Sequence, residues 1–359
     1  VGYTSKIITL ESTGDSIDTG SIVLESDSLE EIVISGTLRQ VSKLDSPVPI
    51  ELYTAEFFNS TPRASFFEAI ESINGIRPQL NCSICNTGDI HINGQEGANT
   101  MVLIDGLPLV SGLSTVYGLT GIPQSLIKQV EVIKGPASTL YGSEAIGGVI
   151  NLITKLPENI ARFNINLFSS SWNELNIDLG AKYAVNNAQG LIGINYFNYS
   201  NPIDNNGDGF TDVTLQHRIS IFNKIKTQKN NVAFRYFYED RWGGQMGWDS
   251  SYRGGDQVYG ESIYTSRFEV FGKYDLSENI FLQYSFNNHD QNSVYGTSLY
   301  KALQSIGFLQ AVYSKTINTH DLLFGATYRY TSYNDNTPAT AAKDVTQLPG
   351  IFIQDQWSL

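Results

Sequence analysis

No stretch of the 359 residues is apolar for long enough to cross a membrane as a helix. Basic side chains are outnumbered 23 to 36, for a net charge of −13, and no basic stripe is present. Binding to nucleic acid, which needs such a stripe, is set aside. No Ser-His-Asp order, glycosidase carboxylate pair or phosphate-binding glycine loop stands in a supporting context, so the chain is not read as an enzyme. Cysteine and methionine occur only twice each. The chain opens at Val1 inside a strand-like pattern, with no basic or apolar leader. It stops at Gln356-Trp357-Ser358-Leu359 inside another such pattern. The expectation is a fragment at both ends.

What is abundant is aromatic: twenty Tyr and eighteen Phe. From residue 158 onward the pattern alternates with period two. Leu175, Ile177, Leu179, Ala181 and Tyr183 fall on one side, Glu174, Asn176, Asp178 and Lys182 on the other. Further alternating runs occupy 162–167, 191–199, 216–224, 232–238, 267–274, 280–287, 309–313, 322–331 and 350–357. Short polar connections at 185–190, 226–230, 275–279 and 315–319 take turns with long ones at 201–212, 240–262, 288–307 and 332–349. Alternation, aromatic wealth and short turns opposite long loops are the pattern of an outer-membrane barrel. A soluble sandwich shares the alternation but not the asymmetry of the connections. About ten strands are countable, whereas plugged transporter barrels have about 22.

Residues 45–157 read differently, as mixed α/β. Residues 54–73 carry helical spacing, with Phe57, Phe58, Phe66, Phe67, Ile70 and Ile73 as the stripe. Strands are expected at 90–93, 100–105 and 130–134. Three pieces follow in order. The first is Ile104-Asp105-Gly106 closing a strand. The second runs from Ile122-Pro123 to Val130-Glu131-Val132-Ile133-Lys134-Gly135. The third is Leu140-Tyr141-Gly142 followed by Gly147-Gly148-Val149-Ile150-Asn151. In this order they closely resemble the plug of TonB-dependent outer-membrane receptors.

That resemblance implies a membrane β-barrel of about 22 antiparallel strands when complete, with the α/β plug in its lumen. Residues 1–27 resemble the tail of the carboxypeptidase-regulatory-like extension found before the plug in many Bacteroidetes receptors. Residues 28–44 are a linker, 45–157 the plug and 158–359 the first part of the barrel. Glu31, Ile32, Val33 and Ile34 resemble a TonB box, a segment that would add an edge strand to TonB; an ordinary plug strand is the other reading. The implied function is active transport of a scarce metal chelate (iron-siderophore, haem, cobalamin or similar), driven by TonB and its ExbB–ExbD motor from the inner membrane. A glycan or peptide importer working with a surface lipoprotein is the alternative. The implied surroundings are outer-membrane lipid.

Cys82 and Cys85 form a C-x-x-C pair, read first as a disulfide stapling a tight loop in an exported protein. A metal or redox site with His91 is the other reading, although zinc needs four ligands. With Asn86 and His91, the two cysteines are the expected substrate-facing plug apex. Asp204, Asn206, Asp208, Phe210 (through its carbonyl) and Asp212 have calcium-loop spacing around Gly209, but Leu215 replaces the usual Glu. A polar Asx-turn loop is the alternative. The loop from Trp242 to Trp248, with Tyr252 and Tyr259, suits either a ring-bearing ligand or an aromatic girdle. His217, His289 and His320 are assigned no role.

Overall fold

The computed structural model describes residues 2–3, 26–27, 31–60, 63, 65–82, 87–108, 119, 122–340 and 342–357. Strand β1 (Gly2–Tyr3) pairs with β2 (Ser26–Asp27), and β3 (Ile32–Val33) with β4 (Val41–Ser42). The rest of the expected 1–27 extension lies outside the described residues.

The plug is built on a four-stranded sheet in the order β5 (Glu51–Thr54), β9 (Ile127–Lys134), β10 (Gly148–Thr154), β8 (Thr100–Ile104). Only the β10–β8 pair is parallel. A hairpin of β6 (Ile76–Cys82) and β7 (Thr87–Ile92) stands beside it. Every residue of β8 and β10 is buried, because both faces of the sheet are covered. Val102, Ile104, Ile150 and Leu152 join the larger core with Phe58, Phe66 and Ile73. Met101, Leu103 and Val149 join a second core with Val33 and Ile50.

The single helix expected over 54–73 is instead two short ones, α1 (Ala55–Asn59) and α2 (Phe66–Ala69), the second running into a 3-10 turn at Ile70–Ser72. Pro62 disfavours helical backbone at the residue before it and removes a donor. Ser65 then restarts the helix as its N-cap: its Oγ accepts from the Glu68 N–H at 3.3 Å and donates to the Glu68 carboxylate at 3.2 Å. The apolar stripe survives the break, with Phe58, Phe66, Phe67, Ile70 and Ile73 all buried.

Ten antiparallel strands follow in sequential order: β11 (Phe163–Ser169), β12 (Leu175–Val185), β13 (Ala188–Tyr199), β14 (Leu215–Lys226), β15 (Asn230–Gly244), β16 (Gly260–Asp275), β17 (Ile280–Tyr295), β18 (Ser298–Ile317), β19 (His320–Asp335) and β20 (Asp344–Trp357). Their burial is inverted relative to a soluble sheet. On β15, Arg235, Glu239 and Arg241 are at most 1% exposed, while Phe234, Tyr236 and Tyr238 are 37–44% exposed. Leu191, Phe222, Ala233 and Phe271 on the buried face pack into the plug core, so the charged face is the inner one. A polar interior under an aromatic exterior is the arrangement of a barrel wall in lipid.

The long connection expected at 332–349 narrows to 336–343, between β19 and β20, and one other connection departs further from expectation. Residues 288–307 form no long loop; β17 and β18 run on to a tight turn at 296–297, where Gly296 takes φ +58°. Asn288, Asp290 and Asn292 on the outer face put polar residues on both sides of these strands, which blurs their alternation.

Candidate functional site

The expected TonB-contacting segment is held against the plug. Val33 is fully buried, and Glu131, fully buried in β9, accepts hydrogen bonds from the Ile34 N–H at 3.0 Å, the Ser35 N–H at 2.8 Å and the Ser35 hydroxyl at 2.6 Å. Gln129 donates to the Ile32 carbonyl at 2.9 Å and also to Glu131 at 2.9 Å. Tyr141 donates to the Ser35 carbonyl at 2.9 Å. Burial pushes the Tyr141 hydroxyl well above the usual phenol range, and so does the Glu131 charge. A buried carboxylate is tolerated here because donors surround it.

A second set of contacts begins at the same serine. The Asn151 amide donates to Ser35 Oγ at 2.9 Å, and its Oδ1 accepts the Gly106 N–H at 2.9 Å. Gly106 sits in a tight turn, Ile104 to Leu107, whose two central residues Asp105 and Gly106 have φ +51° and +80°. Asp-Gly suits that left-handed pair. The turn presents the Asp105 carboxylate to the Thr154 N–H and hydroxyl, both at 2.8 Å, and to Lys224 Nζ on β14, also at 2.8 Å. Lys224 additionally donates to Thr154 Oγ1 at 2.7 Å. One chain of polar contacts therefore runs from the N-terminal segment, through the plug sheet, to the barrel wall. On the far side, Arg329 of β19 grips Glu144 with both guanidinium nitrogens, one at 2.8 Å.

The inner wall carries its own ion pairs. Arg235 and Arg267 both bind the Glu269 carboxylate, Arg235 at 2.6 and 2.8 Å, and Glu239 lies between Arg218 and Arg241. Each partner is at most 3% exposed. His289 stands beside Arg267 in the strand register.

A cavity of about 530 Å³ lies between plug and wall. The N-terminal segment, the Asp105 turn and the short-turn ends of β14–β18 line it. Arg39 pairs with Asp321 at 3.5 Å, which holds the segment at that same end of the barrel.

Of the expected site residues, Glu31, Ile32, Val33 and Ile34 are brought together. Cys82 ends β6, but its side chain, Cys85, Asn86 and the disulfide between the cysteines lie outside the described residues. His91 sits on β7 opposite Arg77, away from the segment's polar contacts. In the 204–212 loop, Asp204 accepts from the N–H groups of Gly207, Asp208 and Gly209. Asn206 accepts from the Asp208 N–H, Asp208 from the Phe210 N–H, and Asp212 from the Asn205 N–H at 2.7 Å. These are Asx-type caps. Among the described residues no cluster of acidic, His or Cys side chains converges at metal-binding distance. Trp242 faces outward and stacks on His217 at 5.1 Å, as a girdle residue does. Arg253 from the same loop reaches Ser262 at 3.0 Å and lies over Tyr264 at 4.3 Å, pinning the loop to the outer face.

Glu131, Asn151, Asp105 and Lys224 were not singled out as site residues by sequence reasoning. The available signal was a charged or amide side chain inside an otherwise apolar strand, as in Val130-Glu131-Val132 and Ile150-Asn151-Leu152.

Residues 42–149 match the TonB-dependent Receptor Plug Domain. Over 178 residues the chain is 30% identical to the ferric enterobactin receptor PirA of Pseudomonas aeruginosa, covering 42% of this chain and 24% of that protein. The siderophore receptor PiuA of Acinetobacter baumannii superposes with a TM-score of 0.63 at 15% identity, over 89% of this chain and 56% of that one. FpvA of P. aeruginosa, solved with heterologous pyoverdines, gives 0.65 at 13% identity, over 91% and 52%. The chain thus spans about half the length of these solved receptors, and their likeness at such identities is one of fold. Residues 42–149 are thus a TonB-dependent receptor plug domain, seated against a barrel wall that shares the fold of these solved receptors.

Proposed function

We propose that the receptor to which this chain belongs takes up an iron–siderophore complex across the outer membrane, driven by TonB with ExbB–ExbD. The observation that carries this reading is the N-terminal segment, which is held by side chains of a plug that itself rests on a polar barrel interior. A short β-paired segment at the short-turn end suits capture by a periplasmic partner through strand addition. The apolar outer face suits outer-membrane lipid. The choice of iron chelate over haem, cobalamin or a glycan leans on the relatives, which are described as ferric enterobactin and siderophore receptors.

The test is uptake of ferric enterobactin by cells whose only catecholate receptor is the full-length protein. Accumulation is expected with TonB present and absent without it. Uptake that continues without TonB would overturn the reading. Copurification of a surface lipoprotein with bound glycan, and no iron accumulation, would favour the glycan importer instead.

A further inference from the structure

We propose that cargo passes the plug along one sector of the wall, the inner face of β14–β18, and leaves through a cationic vestibule closed by the Asp105–Lys224 contact. The inference rests on the transport reading above and adds to it a route, a gate and a charge preference.

Three observations converge on this sector. The first is the cavity of about 530 Å³ already present there. In a chain of net charge −13, its described lining carries five basic side chains, Arg39, Lys128, Lys224, Lys273 and Lys315, against three acidic ones. A cleft of that sign concentrates anions. A ferric complex of deprotonated oxygen ligands is such an anion.

The second is the wall. On the same strands, the Ser220, Thr265 and Ser285 hydroxyls and the Asn287 amide are buried without a hydrogen-bond partner. Polar groups left open in this way draw in water as soon as there is room for it, so this face hydrates once the plug shifts.

The third is the way the plug is fastened. Toward β14 the Asp105 turn is held by Lys224, a point-charge donor, beside a half-exposed Lys226–Glu158 pair. Toward β19 the plug is held by the two-pronged Arg329–Glu144 pair. A bidentate arginine contact is the stronger of the two, so a pull on the N-terminal segment opens the Lys224 side first. The force has a path. Ser35 is tied to Asn151, and Asn151 to the Gly106 N–H, in the turn that carries Asp105. Asn151 is thereby a positioning residue, acting on the gate through Gly106.

The test uses purified full-length receptor in planar lipid bilayers, with potassium chloride as the permeant salt, and needs neither cargo nor TonB. Asp105→Asn is expected to raise the frequency of open events on the order of tenfold, the size of effect that loss of a charge-assisted hydrogen bond implies. Chloride should pass in preference to potassium, and a sulfonate-bearing thiol reagent should block the current when Gln283→Cys is added. If Asp105→Asn fails to insert, Lys224→Met breaks the same contact from the wall. No added conductance in either variant would overturn the proposal, as would cation preference or a current insensitive to modification at 283. Because cargo is absent, these outcomes are independent of the uptake experiment.

Discussion

Ser35 gives both its N–H and its hydroxyl to one carboxylate oxygen of Glu131, at 2.8 and 2.6 Å. A glutamine at 131 has one acceptor oxygen and turns an amide N–H toward these donors. Glu131→Gln is therefore expected to loosen the segment by about 3 kcal/mol, the scale for breaking a buried charge-assisted cluster. A cysteine at Val33, buried in the native plug, reports it. Maleimide labelling of Val33→Cys should be slow alone and fast with Glu131→Gln. Equal rates would mean that the segment is held by apolar packing alone.

Glu51 ties β5 to β9 through Lys134, whose Nζ lies 2.6 Å from its carboxylate, and it accepts a second bond from Tyr53 at 2.6 Å. Burial works to raise the Glu51 pKa, but the hydrogen bonds from Lys134 and Tyr53 and the Lys134 charge outweigh it, so the net shift is downward. A depressed folded-state value stabilises the plug above the ordinary glutamate range and ceases to do so as pH falls through the lowered value. Glu51→Gln should flatten the acid limb of the plug's thermal stability and leave the alkaline side alone. The side chain is 46% exposed, so the effect is small and fades in high salt. An unchanged acid limb would assign it to other carboxylates.

The barrel was legible because lipid outside and water inside force a period of two on each strand, and Leu175 to Tyr183 obeys it throughout. Where both faces are polar, as at Asn288 to Asn292, that constraint lapses and the tops of β17 and β18 read as loop. The stripe over 54–73 reads as one helix because apolar spacing carries no trace of Pro62, a residue that cannot continue a helix. The polar chain from Ser35 to the wall was illegible for another reason. Its partners are 96, 116, 45 and 119 residues apart, and nothing local pairs Ser35 with Asn151 or Asp105 with Lys224. The plug motifs placed Asp105, Glu131 and Asn151 inside a recognisable pattern without saying what each one holds.

We propose that calcium binds the 204–212 loop. The carboxylates of Asp204 and Asp208 now cap N–H groups, and a cation would draw them, with Asn206, Asp212 and the Phe210 carbonyl, toward a common centre. Chelation of the native receptor should then speed proteolysis between 204 and 212, and added calcium should reverse it. Identical cleavage rates would leave the loop self-capped, with the Asx bonds sufficient to order it.

Arg235 and Tyr236 are neighbours in β15 and face opposite worlds. Arg235 binds Glu269 at 2.6 and 2.8 Å inside the wall, where Glu269 also serves Arg267. Glu269→Gln leaves two buried guanidinium groups without their shared counter-charge and should cost about 3–5 kcal/mol. Tyr236 is 44% exposed in the aromatic outer band. Tyr236→Arg should cost about 2–4 kcal/mol in a bilayer if this residue lies near the midplane, and less near either interface. Denaturant titration of the full-length receptor in liposomes measures both. The same titration in detergent should largely erase the Tyr236→Arg penalty while keeping that of Glu269→Gln, since only the former depends on a fixed hydrocarbon slab. A Tyr236→Arg penalty that survived unchanged in detergent would mean that this face packs against protein rather than lipid.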